Sequence, residues 1–232
     1  MDLRQAWEKE FKAILERFGP TNLTKLLGER CSLHRTDDSV QLNFKALDFD
    51  IAMKYDVNKG NLDMSYETKV GSERDLSHIL FLHGKILNRR LKLGAVDKEP
   101  GFVGIIELPG GIGAKAYENR VRSYLINEME GSTKDEMKRI SEIMGGSLDE
   151  SSKADWAIET EPINGVRIMI LYWNSEEELP GSASIIYGAE ISKINLPMED
   201  IKALTEIFVK RLVDCYRKVT GRSPKKWASL YR

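Results

Sequence analysis

Val40-Gln41-Leu42-Asn43-Phe44, then Leu47-Asp48-Phe49-Asp50-Ile51-Ala52-Met53-Lys54-Tyr55, then Leu62-Asp63-Met64-Ser65-Tyr66: in all three stretches apolar residues occupy every second position. Successive side chains of a strand point to opposite faces, so this period of two predicts three antiparallel strands with one buried and one solvated face. Asn58-Lys59-Gly60-Asn61 tolerates the positive φ of a tight turn and joins the last two strands into a three-strand meander.

On the N-terminal side, Leu3, Trp7, Phe11, Ile14 and Phe18 recur at helical spacing, Gly19-Pro20 stops that helix, and Leu23, Leu26 and Leu27 suggest a short second one. On the C-terminal side, Ser72 and Asp75 read as the start of a helix whose stripe is Leu76, Ile79, Leu80, His83, Ile86 and Leu87. Phe102 to Leu108 reads as a short strand, broken by Pro109-Gly110-Gly111-Ile112-Gly113 before a helix through Tyr117, Val121, Tyr124 and Leu125. Ser132 and Asp135 open a further helix that Gly145-Gly146 ends, and residues 147–153 read as a surface loop. Trp156, Ile158 and Thr160 alternate, Val166 to Trp173 is apolar at nearly every position as a central strand requires, and Ala183 to Tyr187 forms another strand. Pro197, Glu199 and Asp200 open a long last helix through Ile201, Leu204, Phe208, Leu212, Cys215 and Val219, closed by Gly221. Helices cluster between groups of strands and do not alternate with them one for one. The expected class is therefore α+β: an antiparallel or mixed sheet with an N-terminal three-strand meander, helices packed on it and a long C-terminal helix. With no repeat or linker, residues 1–232 read as a single α+β domain.

Charge and cysteine content narrow the function. The 35 Lys+Arg and 36 Asp+Glu of the 232 residues give a net charge of -1, which disfavours a nucleic-acid binder that relies on overall basicity. No apolar run approaches the roughly 18 residues that cross a bilayer, and the N-terminus lacks a secretory layout, so no membrane association and a cytoplasmic location are expected. Two cysteines, Cys31 and Cys215, exclude a disulfide framework, an internally ligated iron–sulfur cluster and a four-cysteine zinc site.

Three segments are candidates for chemistry. The Gly-rich loop could aim backbone N–H groups at an anion, yet it lacks the Gly-Lys-Ser/Thr ending of a phosphate loop, and a tight turn is the simpler reading. His83 is a candidate axial ligand or general acid/base, set against the commoner role of a core histidine; Glu107 is its candidate partner in acid–base work. His78, five positions before it, cannot join it in an i, i+4 metal pair, and Cys31 with His34, in a stretch that reads as loop, supplies at most half of a tetrahedral site. Glu176, Glu177 and Glu178 follow the aromatic strand end at Trp173 and precede Leu179-Pro180; they are candidate metal ligands, or a solvated acidic turn. Cys215 packs as a small hydrophobe. The basic stretch Arg217 to Trp227 is a tail that could touch an anionic partner.

Ile79-Leu80-Phe81-Leu82-His83-Gly84, followed by Phe102-Val103-Gly104-Ile105-Ile106-Glu107-Leu108-Pro109-Gly110-Gly111, resembles the prokaryotic family known as domain of unknown function 3786. Glu161-Pro162, the strand Arg167 to Trp173, Glu177-Glu178-Leu179-Pro180, Ala183 to Gly188 and Asp200 continue the resemblance, which covers about residues 75–215. Gly84 stands where the resemblance expects Tyr, Gly104 and Ile105 where it expects Phe-Arg, and Leu179 where it expects Phe. The resemblance implies a protein of anaerobic bacteria or archaea with relatives that carry an attached iron–sulfur domain similar to that of corrinoid methyl-transfer proteins. Because this chain has two cysteines, any such cluster belongs to a partner protein.

Three functions follow as expectations. The first is an accessory protein that handles a corrinoid, haem or flavin, or binds a partner bearing an iron–sulfur cluster or corrinoid, through His83, Glu107, Pro109, Gly110, Gly111, Trp173, Glu177, Glu178 and Pro180. The second is a small enzyme using His83 and Glu107 with the acidic triplet orienting a cation. The third is a structural subunit of a complex. The first uses a surface formed by these segments, whereas the second requires a pocket in which His83 and at least one of Glu107, Glu177 or Glu178 converge.

Overall fold

The computed structural model describes residues 2–17, 31–94 and 99–225. Among them are nine strands and six α-helices: α1 (Leu3–Arg17), β1 (Cys31–Arg35), β2 (Ser39–Ala46), β3 (Phe49–Asp56), β4 (Asn61–Thr68), α2 (Leu76–Leu93), β5 (Phe102–Gly104), α3 (Lys115–Met129), α4 (Lys134–Ile143), β6 (Gly146–Leu148), β7 (Trp156–Ile163), β8 (Val166–Trp173), β9 (Ser182–Gly188), α5 (Glu190–Ile194) and α6 (Met198–Thr220). The class is α+β, as the grouping of helices and strands predicts. Phe18, Gly19-Pro20, the suggested helix at Leu23 to Leu27 and residues 226–232 of the basic tail lie outside the described residues.

The three alternating stretches are β2, β3 and β4, antiparallel in the order β1-β2-β3-β4. The turn between β3 and β4 is closed by Asp56, whose Oδ1 accepts from the backbone N–H groups of Asn58 (3.0 Å) and Lys59 (2.9 Å), with Gly60 at φ 66°. A fourth strand, β1, adds to the meander. Its residues, Cys-Ser-Leu-His-Arg, carry too little apolar alternation to read as a strand, and pairing with β2 along its whole length makes it one. His34 therefore sits exposed on a strand and not in a loop.

The inward face of this sheet is covered by α1 and α2. Phe11 of α1 stacks on Phe44 of β2 at 5.7 Å, and His83 of α2 lies 4.3 Å from the Phe44 ring. Gly84 lets the two helices meet, because a Cβ there would stand 2.8 Å from the Cβ of Glu10. α2 begins at Leu76, after Asp75 in a left-handed conformation that makes no side-chain cap, so the Ser72–Asp75 start is displaced toward the C-terminus.

The second sheet is antiparallel in the order β5-β9-β8-β7-β6, which puts the continuously apolar β8 at its centre. β7 and β8 are joined by Asn164-Gly165, and the Arg90 guanidinium fills the space beside Gly165 (φ 81°) and donates to the Asn164 carbonyl at 3.1 Å. Arg90 thus ties α2 to the second sheet. Phe102 to Leu108 is strand only as far as Gly104 and then turns into a 3-10 helix at Ile105–Glu107. The polar loop expected from residue 147 is partly strand, since Gly146–Leu148 pairs with β7. α4 is capped one residue later than the sequence suggests, by Thr133 and Glu136 in a reciprocal box (3.3 and 2.9 Å). α6 is flanked by Pro197 and Gly221 as expected and buries Ile201, Leu204, Phe208, Leu212 and Cys215. Buried apolar residues of both sheets and all six helices form one contiguous cluster.

A buried ion pair joins the first sheet to α6. Asp48, in the two-residue turn between β2 and β3, accepts from Arg211 Nε at 2.8 Å and from Nη2, and both side chains are fully buried. Thr68 donates to the same carboxylate, Arg211 Nη1 donates to the Ser72 carbonyl at 2.9 Å, and the guanidinium lies 4.5 Å over the Phe49 ring. Leu47, beside Asp48 in the same turn, takes φ 55°, a conformation that costs a non-glycine residue energy.

Candidate functional site

His83 falls on the buried side of α2 because it occupies the same helical stripe as Leu80 and Leu87. Its ring is fully buried between Phe11 and Phe44, and neither ring nitrogen has a hydrogen-bond partner. Burial first and the positive charge of Arg90 second push its pKa down to about 3, so the imidazole is neutral at ordinary pH. A general acid or base must reach the proton it moves. This imidazole reaches neither solvent nor a carboxylate.

The Gly-rich loop lies in the other layer. Glu107 accepts from the Gly104 N–H at 2.7 Å, the Leu108 N–H donates to the Ile105 carbonyl at 3.1 Å, and the Gly111 N–H donates to the Leu108 carbonyl at 2.8 Å. Gly111 packs so closely that a Cβ would meet the Ile105 carbonyl oxygen at 1.6 Å, and Gly110 takes φ 79° beside Met198. Both glycines serve the turn. The same compaction turns two aliphatic side chains outward: Ile106 is 54% and Ile112 84% exposed. Pro109 is exposed beside them.

Glu176, Glu177 and Glu178 form an exposed tight turn, closed by reciprocal backbone bonds between Glu176 and Leu179 (2.9 and 3.2 Å). Leu179 and Pro180 are exposed as well, and Trp173 is half-buried at the end of β8. Among the described residues no group of three or more His, Cys, Asp or Glu side chains is placed to hold a metal ion.

These segments do not converge. The Gly-rich loop leads directly into the N-terminus of α3, whereas the acidic turn lies near its other end, where Ile126 packs 3.5 Å from the Cβ position of Gly181 and its carbonyl accepts from Tyr172 at 3.2 Å. The helix from residue 115 to 126 separates them by about 17 Å. His83 lies apart from both, enclosed between Phe11 and Phe44 beneath the first sheet.

Among the described residues, two clefts open on the first sheet. One, of about 550 Å³, lies on its outer face, where Ser32, Asn43, Ala52 and Ser65 form a row of short side chains beside Lys45, Asp50 and Glu67. The other, of about 560 Å³, runs under β4 between Leu62, Met64 and Tyr66 and the helix residues Trp7 and Leu76. The alternation of β2 to β4 foretells an outer polar face, but not that short residues line up across four strands; that follows from register. Sequence reasoning also misses that Glu190 grips Arg167 at 3.1 and 2.8 Å, and it reads Arg217 as the start of a tail, whereas residues 217–220 belong to α6 and Arg217 pairs with Glu128 at 2.8 Å; in both cases the partner is distant in sequence.

The family description Domain of unknown function (DUF3786) matches residues 33–211. The chain belongs to this family. The DUF3786 region starts in β1 and ends at Arg211, so it takes in the whole β2–β4 meander, both members of the Asp48–Arg211 pair and all three candidate segments. It reaches well before residue 75, where the sequence resemblance begins. No curated protein and no solved structure matches the chain. Within the DUF3786 region no described helix is long and apolar enough to cross a membrane.

Proposed function

We propose that this chain is an accessory protein that docks, through its Gly-rich loop, onto a cofactor-bearing protein partner in the cytoplasm of an anaerobic prokaryote. The observation that carries this reading is the exposure of Ile112 and Ile106 on a loop whose backbone is braced from within. A large aliphatic side chain held 84% exposed on a rigid turn is costly in water and gains by burial against a partner. The proposed partner carries the iron–sulfur cluster or corrinoid, in keeping with a chain that has two cysteines, one buried and one half-buried. The sealed, neutral His83 supports this non-catalytic reading over the acid–base one.

A photoreactive amino acid placed at position 112 in cells of the native organism tests it. A discrete protein adduct that contains an iron–sulfur or corrinoid protein is expected, with no adduct from the same group at the exposed Lys138 on α4. Absence of any adduct at 112 counts against docking by this loop. Titration of the purified chain with haem, cobalamin and flavin, followed by absorbance and gel filtration, separates the alternative: a retained chromophore would mean that the chain itself holds the cofactor.

A further inference from the structure

The sheets differ in how their edges are finished. β5 and β6, the outer strands of the five-stranded sheet, have three residues each, too short to template another strand. β4 is an edge of eight residues, paired with β3 throughout without a bulge, and no described residue pairs with its other side. Its sequence, Asn-Leu-Asp-Met-Ser-Tyr-Glu-Thr, contains none of the lysines or prolines that commonly blunt an edge. Half of its N–H and C=O groups point away from β3, as in any edge strand.

Beneath that edge lies the cleft of about 560 Å³. Leu62, Met64 and Tyr66 project toward it, half-buried, Trp7 and Leu76 form its far wall, and Arg4, Asp63 and Ser77 line it as polar neighbours. On the opposite, solvent side of the same strand stand Asp63 and Glu67, with Asp50 directly across from Glu67 and Lys54 directly across from Asp63. Glu73 sits at the cleft margin and accepts from the Tyr66 hydroxyl.

We propose that β4 is a strand-addition site for an extended, basic peptide segment of a partner protein, with apolar residues at alternate positions and Lys or Arg between them. This rests on the reading of the chain as a partner-binding protein and assigns it a second contact, distinct from the Gly-rich loop. Backbone bonds to β4 supply affinity, the alternate apolar side chains enter the cleft over Trp7, Met64 and Leu76, and the intervening cations face Asp63 and Glu67. The edge selects against a second copy of this chain in the register centred on Ser65, where Asp63 would face Glu67 twice, because like charges directly opposite are destabilising.

The probe is a fluorescein-labelled peptide, Lys-Val-Lys-Phe-Lys-Val-Lys, with the same composition in scrambled order, Lys-Lys-Val-Val-Lys-Phe-Lys, as control. Fluorescence anisotropy with the full chain is expected to show saturable binding of the alternating peptide and about tenfold weaker binding of the scrambled one. The D63K/E67K variant, changed only at exposed positions, should lose about tenfold in affinity for the basic peptide and gain affinity for Glu-Val-Glu-Phe-Glu-Val-Glu. Amide hydrogen exchange should slow in residues 61–68 on binding. Equal binding of both basic peptides, no response to D63K/E67K, or exchange protection elsewhere overturns the proposal, and so does a wild-type dimer that D63K/E67K disrupts, which would assign the edge to self-pairing. I112D should leave peptide binding unchanged. Loss of peptide binding with the position-112 adduct intact removes the edge site alone, whereas loss of the adduct with peptide binding intact removes the loop.

Discussion

The two sheets are built from similar lengths of antiparallel strand and are put to different uses. In the five-stranded sheet, β7 and β8 are apolar at most positions and the outermost strands are cut to three residues, so little is left to present to another molecule. The four-stranded sheet alternates cleanly, turns Phe44, Ile51 and Met53 onto α1 and α2, and leaves its outer face polar and its last edge long. Nearly continuous apolar sequence makes a scaffold; strict alternation makes a surface. The second sheet also holds Arg167 with Glu190, and Trp156 stacked on Tyr172 at 4.7 Å, which stiffen it from within. The first sheet is fastened to α6 by the fully buried Asp48–Arg211 pair.

Cutting that fastening is the most damaging way to test the contrast. Asp48→Ala leaves the Arg211 charge buried without its partner and should cost about 3–5 kcal/mol in urea denaturation. The double change Asp48→Leu with Arg211→Met removes both charges and should recover a large part of that loss. If the first sheet is the separately fastened layer, hydrogen exchange in Asp48→Ala should accelerate more in β2 to β4 than in β7 to β9. Uniform acceleration would erase the distinction between the sheets.

Gly111→Ala strikes the scaffold side. The new methyl group cannot coexist with the Ile105 carbonyl, so the turn must open, at roughly 1–3 kcal/mol. The expected result is a smaller loss of stability than for Asp48→Ala, with faster exchange confined to residues 105–114. An unchanged melting curve would mean that the loop is not braced as described.

Much of this architecture is legible in the amino-acid pattern, and the exceptions have identifiable physics. β2, β3, β4, α1, α2 and α6 announce themselves because each buries one face, and burial of one face writes its period into the sequence. β1 does not, since an edge strand of five residues turns only Cys31 and Leu33 inward, half-buried, which is too short an alternation to stand out. Asp48 and Arg211 lie 163 positions apart, and nothing local in either segment marks a charge that will be paired in the core. Of the candidate site, the turn character of Gly110 and Gly111 and the helical stripe holding His83 are both readable. That the two lie in different layers is a fact of topology, which local pattern does not encode.

His83 offers a milder test of the first sheet's inner layer, through pH. Its folded-state pKa of about 3 lies below the ordinary 6.5, so between those values the unfolded chain binds more protons than the folded one. The stability this neutral ring contributes is present above about pH 6.5 and is lost as the pH falls toward 3, by at most about 1.4 kcal/mol for each pH unit. His83→Leu removes two buried nitrogens that lack partners, so it should change stability little at pH 7 and flatten the acid limb of the pH profile. A profile that keeps its slope in His83→Leu would mean that the ring is charged or solvated in the native protein.

The smallest expected change in stability is the one that separates presentation from scaffold. Ile112→Asp places a charge where the side chain is already 84% exposed, and its stability should stay within about 0.5 kcal/mol of the parent. Docking on the proposed partner should nevertheless fail, because a carboxylate at the centre of an apolar contact must shed its water without gaining a partner. Measured together, unfolding and partner binding then respond in opposite proportion at Asp48 and at Ile112: the first change removes the fold with its surfaces, the second removes a surface and leaves the fold. If Ile112→Asp instead lowers stability by several kcal/mol, the isoleucine is part of the packed structure, and the loop belongs with the scaffold.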